Sequence, residues 1–164
     1  MRDRLWNELT QSKHHHIYCV LLIAYQRRLV NIFNIVILSF SSAGVMGWAF
    51  WKELPLVSCI IVAGISLLKL LSPHLVPSEK QLDKLDNVID FYCDYYNKVE
   101  QLWMNHYNGH LDDKQMQDAF YKLKATEGRI NKIVNEIVKR TNKSILSKTE
   151  KETLNYLKRT FNTK

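Results

Sequence analysis

Glycine is scarce, with five in 164 residues and none clustered, so the chain offers no glycine-rich loop to cradle a phosphate. It also lacks a nucleophile elbow and a His-Glu-x-x-His metal helix. His14, His15 and His16 are consecutive, so on a helix they point three ways and cannot converge on one metal. They read as a weakly basic surface near a membrane. His106 and His110 stand four apart, but Gly109 breaks the helix between them. These absences argue against an enzyme, a cofactor, a metal site and a small-molecule substrate.

Cysteine is sparse as well. Cys19, Cys59 and Cys93 are widely spaced and none belongs to a CxxC pair, which reads as free buried thiols in a reducing compartment. No short apolar core with a small-residue cleavage site opens the chain, so a signal peptide is not expected.

What is present is concentrated. The averages, 46% hydrophobic and 24% charged with a mean hydropathy of -0.24, resemble those of a soluble protein. Yet residues 29–51 hold no charge at all, and residues 54–71 hold only Lys69. As helices these runs reach roughly 35 and 27 Å, against a hydrocarbon core of about 30 Å. Pro55 suits the first turn of the second helix, Pro73 should stop it, and Lys69 can extend its ammonium to the interface. Only Lys52 and Glu53 separate the runs, which forces an antiparallel hairpin. Trp48 and Trp51 stand where interfacial aromatics belong.

The net charge of +7 fits an anionic surface, lipid or nucleic acid, without choosing between them. Arg27 and Arg28 directly precede the first run, with Lys13 behind them, while the tip carries one Lys offset by one Glu. Basic residues stay on the cytoplasmic side, so both termini are expected in the cytoplasm and the tip outside.

Within the spans, Asn31, Asn34, Leu38 and Ser41 recur at spacings of three and four and share one helix face. Ser39, Ala43 and Gly47 form a small-residue row that permits close helix packing. Ser58, Val62, Ser66 and Lys69 share a face of the second span. Such groups either bind the hairpin together or, in an oligomer, line a water-filled path. On the second reading Asn31, Asn34, Ser41, Ser58, Ser66 and Lys69 are the pore-lining or gating residues. Arg27, Arg28, Trp48 and Trp51 are then the interface anchors.

The rest reads as soluble helix. Residues 1–28 form an amphipathic N-terminal helix running into the first span. Residues 78–164 form a helical domain with helices near 79–108, 113–141 and 148–161. Ser78 with Gln81 and Ser147 with Glu150 make capping boxes, Asp112 caps the second helix, and Gly109 stops the first. Leu82, Leu85, Ile89, Tyr92, Tyr96, Val99 and Trp103 follow a heptad rhythm, expected to be a core or a seam for association. Glu127 occupies the one position in the second helix's stripe where an apolar residue belongs. The expected fold is thus an all-α membrane protein: a two-span transmembrane helical hairpin (29–71) with a cytosolic, coiled-coil-like helical domain.

One resemblance follows from this order of parts. A basic lead, Tyr25-Gln-Arg-Arg28, enters a span rich in Ile, Ser and Gly. The tip Trp51-Lys-Glu-Leu-Pro55, a second span and a Tyr-rich helix with a helical tail come after it. Over residues 15–160 this resembles the SLATT-type two-transmembrane effectors of bacterial anti-phage systems. The resemblance implies a dormant toxin of abortive infection that self-associates and permeabilises the inner membrane once infection is sensed. It also implies a sensor partner held by the cytosolic helices. That partner would be a second-messenger system or a nucleoprotein complex of a retron reverse transcriptase with its DNA. Two other classes stand beside it: a non-conducting membrane anchor that recruits a cytosolic partner, and a small transporter subunit. The latter has little support without a broken helix or an acidic intramembrane residue.

Overall fold

A computed structural model describes residues 1–46, 55–138 and 141–161, with side chains described except at 40–46, 55–58 and 61. Every regular element among them is an α-helix. In chain order these are α1 (Arg2–Met46), α2 (Pro55–Leu75), α3 (Glu79–Tyr107), α4 (Asp113–Lys124), α5 (Glu127–Ile137) and α6 (Lys143–Phe161). They fall into two compact units: Met1–Ile23 with Asp83–Lys164, and Ala24–Leu82.

The first unit is a helical bundle built around the opening turns of α1. Leu5 and Leu9 are fully buried among Tyr95, Tyr96, Val99 and Leu102 of α3 and Met116 and Phe120 of α4. The chain reverses at Gly109, whose φ of 73° puts it in the left-handed region that a side chain disfavours. His110 N–H reaches back to the Asn105 carbonyl (2.9 Å) and Gly109 N–H to that of His106 (3.1 Å), a Schellman closure of α3. Asp112 then caps α4 through the Gln115 N–H at 2.7 Å, and the Gln115 side chain answers the Asp112 N–H at 3.2 Å.

The expected helix over 113–141 is two helices. Thr126 causes the break: its hydroxyl (2.7 Å) and its N–H (3.0 Å) both take the Leu123 carbonyl, which a continuing helix would offer to residue 127. The return path is antiparallel to α3, because Tyr92 meets Asn131 (3.2 Å) and Lys84 meets Glu136 (2.6 Å) as α5 proceeds. The last helix starts at Lys143, not 148. Asn142 Oδ1 accepts from the N–H groups of Ser144 (3.0 Å) and Ile145 (3.3 Å), so Ser147 and Glu150 lie inside the helix and form no cap. α6 runs antiparallel to α1, as the pairs Trp6–Phe161, Lys13–Tyr156 and Tyr18–Asn142 attest.

The second unit holds the apolar runs. α1 is unbroken through the point where its composition changes, and α2 opens with Pro55 as its first residue. Pro73 does not stop α2, which continues to Leu75 with Val76 N–H on the Ser72 carbonyl at 3.0 Å. Two residues from the end, the proline removes one bond without breaking the last turn, and Pro77 follows. Ser78 and Gln81 then cap α3 reciprocally, at 3.0 and 3.4 Å.

Candidate functional site

Two places carry chemistry that the fold alone does not require. The first is the apolar surface of the second unit. Ile35 is 62% exposed, Leu38 70%, Ile60 62% and Leu70 74%. A large apolar side chain left in water forgoes roughly 1.5–3 kcal/mol of burial, so this surface calls for an apolar medium or partner. Among the described residues one helix, α1 as far as Ser39, is long and apolar enough to cross a membrane, with 11% of its most apolar stretch buried inside the chain.

On that surface, Asn31, Asn34, Arg27 and Arg28 are exposed on α1, and so is Ser39. Lys69 is exposed on α2. Ser66 is exposed too, but its hydroxyl donates to the Val62 carbonyl at 2.8 Å, one turn back in its own helix. Ser41 and Ala43 lie in α1 and Ser58 in α2, with side chains outside the described residues; Gly47, Trp48 and Trp51 lie outside them altogether.

The second place is the buried polar face of α1 in the bundle. Glu8 is buried, and its carboxylate accepts from Tyr95 Oη at 2.8 Å and from Lys124 Nζ at 2.7 and 2.8 Å. Lys124 Nζ also meets Glu127 at 2.7 Å. Burial alone would lower the Lys124 pKa, but its bonds to Glu127 and Glu8 raise it above the ordinary lysine value. Burial, then the bond to Glu8, pushes Tyr95 well above the usual phenol range. This network joins α1, α3, α4 and α5, and it is where Glu127, misplaced in its apolar stripe, finds its reason. Glu8 itself carries a signal in the sequence, an acid between Leu5 and Leu9 on the apolar face, which the sequence reading passed over.

The histidine triplet is not a surface. His14, His15 and His16 are half-buried, and desolvation lowers the pKa of each, which favours the neutral ring. His15 stacks on Tyr92, centroids 5.2 Å apart. Lys13 lies between the rings of Tyr96 (4.3 Å) and Tyr156 (4.0 Å), whose hydroxyls hydrogen-bond to each other. Of the thiols, Cys19 alone is buried, and burial pushes it up to about 12; Cys93 is half-buried and Cys59 exposed, contrary to the expectation of three buried thiols.

The heptad seam lies in the same unit except for Leu82, which ends the second unit. Leu85, Tyr92, Tyr96 and Val99 are buried, and Leu82, Ile89 and Trp103 are half-buried. Tyr96 and Val99 belong to the bundle's own core, and Trp103 packs against it beside Trp6, 5.1 Å between centroids. Those three residues are thus taken up within the chain's own core. Val88, Tyr95 and Leu102, which the heptad rhythm omitted, are buried beside it because several helices surround α3 instead of one. No group of His, Cys, Asp and Glu side chains suited to a metal ion occurs among the described residues. No family model, no curated protein and no solved structure matches this chain.

Proposed function

We propose that the chain is a non-enzymatic membrane effector. It crosses the inner membrane twice, keeps both termini in the cytoplasm, and permeabilises the bilayer as an oligomer when a sensor partner releases or triggers it. The observation that carries the membrane part is the exposed apolar surface of α1 and α2, interrupted by Asn31, Asn34 and Lys69. Two helices cannot enclose a water path, so conduction requires several copies with those polar groups turned inward. The effector part rests on the resemblance to the SLATT-type proteins.

A second reading has its own support. Ser66 satisfies its hydroxyl within its own helix, as a group with no water path to line would. On that reading the hairpin is a non-conducting anchor, and the bundle recruits a cytosolic partner. Inducible expression in bacteria with a membrane-potential dye separates the two. Depolarisation within minutes, with growth arrest, is expected for the effector. A steady potential at full membrane insertion, with candidate triggers supplied, leaves the anchor.

A further inference from the structure

The bundle holds α1 in two very different ways. Toward α3 and α4 the contact is Leu5 and Leu9 against fully buried aromatic and aliphatic side chains. Toward α6 apolar contacts, such as Trp6 on Phe161, are mixed with polar ones. The hydroxyl oxygens of Thr10 on α1 and Thr153 on α6 are shut off from solvent and receive no hydrogen bond, although Thr153 is only 4% exposed. His16 Nδ1 is in the same state, on the α1 face bordering α6. Each such orphan loses the hydrogen bonds that water would give it, so the docked position of α6 carries a penalty that leaving would relieve.

The contact also has open flanks. Grooves of about 450 and 560 Å³ flank it, the first beside Lys13, Ile17 and Tyr156, the second beside Thr10, His14 and Thr153. α6 is held by its buried Ile145, Thr149 and Leu157 and by Tyr156 against Lys13 and Tyr96, Phe161 on Trp6 (5.3 Å), and Asn142 N–H on Tyr18 Oη (3.3 Å).

α6 itself is a basic amphipathic helix. Ile145 and Leu157 are buried in the bundle, while Lys143, Lys148, Lys151, Lys158 and Arg159 are exposed, against two acids, Glu150 and Glu152. A helix with one apolar face and an excess of Lys and Arg fits the boundary between anionic headgroups and acyl chains. We propose that α6 is a detachable helix, held on α1 across a contact whose polar groups are incompletely bonded, and that its docking partner on release is an anionic lipid surface. The lipid step rests on the two-span reading, which places a bilayer within the chain's own reach; the incompletely bonded contact does not.

The test uses the full chain in discs of phosphatidylcholine, with and without phosphatidylglycerol. In the neutral discs, hydrogen exchange over residues 143–161 is expected to be at least about tenfold faster than over 85–102. Thr10→Val with Thr153→Val removes the orphan hydroxyls at nearly constant shape and should slow that exchange about tenfold, whereas Tyr156→Ala should speed it. A photoreactive amino acid at the exposed Leu154 should capture lipid in the anionic discs and lose that capture when Lys151, Lys158 and Arg159 are changed to Gln. Equal exchange in the two segments, exchange not slowed by the valine pair, or equal lipid capture in both discs overturns the proposal. If the chain enters neither disc, the two-span reading fails instead, and exchange in solution with capture on anionic vesicles still decides this one.

Discussion

The Tyr95 hydroxyl donates to Glu8 Oε1 at 2.8 Å, joining residues 87 positions apart and anchoring a buried carboxylate that Lys124 neutralises from a third helix. Tyr95→Phe removes one bond to a group that keeps its cation and should cost about 1 kcal/mol. Glu8→Ala should cost about 2 kcal/mol. That is less than for a sealed ion pair, because Lys124 is over a third exposed and retains Glu127. A double-mutant cycle by urea denaturation in detergent should return a coupling of about 0.5 kcal/mol or more; additive effects would show that the two groups act separately.

Leu9 and Leu154 give the contrast between core and surface. Leu9 is fully buried in the main core, so Leu9→Ala should destabilise by about 2–5 kcal/mol. Leu154 is more than half exposed, and Leu154→Ala should stay within about 0.5 kcal/mol of the parent. Thermal unfolding of both variants checks this, and comparable losses would contradict the assigned packing.

Acid should loosen the bundle. The pKa values of His14, His15 and His16 lie below 6.5 in the folded chain, first through burial. Glu150 of α6 opposes this at His14 and Glu8 at His15, while Lys124 and His14 add to it at His15, and Lys13 at His16. With folded values depressed, the unfolded chain binds protons first as pH falls below about 6.5, so stability is full above that point and declines beneath it. Tm at pH 5.5 should therefore lie below Tm at pH 7.5, and replacing all three histidines with Gln should flatten the difference. A flat profile in the parent chain would mean the imidazoles are hydrated.

Asn34→Leu and Lys69→Leu test the polar groups of the apolar helices. Both should blunt depolarisation on expression while leaving insertion intact, because an apolar side chain cannot line a water path. Unchanged depolarisation in both would remove these residues from the mechanism.

Much of this was legible in the linear chain. The two apolar runs stand in the composition itself, while the Ser78–Gln81 cap, the Asp112 cap and the Gly109 stop depend on residues a few positions apart, and local backbone sterics and hydrogen bonds determine them. Tertiary structure decided the rest. The heptad rhythm on α3 marks an apolar stripe but does not say whose helix covers it; α1, α4 and α6 do, because burying Tyr95, Tyr96 and Val99 within one chain needs neighbours on several sides. The break at Thr126 turned on a hydroxyl choosing the Leu123 carbonyl, and the start of α6 on Asn142 outcompeting Ser147 as a cap. The state of the histidines depended on neighbours that no spacing reveals. Charge in an ionisable group follows its solvation, and solvation is a property of the packed bundle.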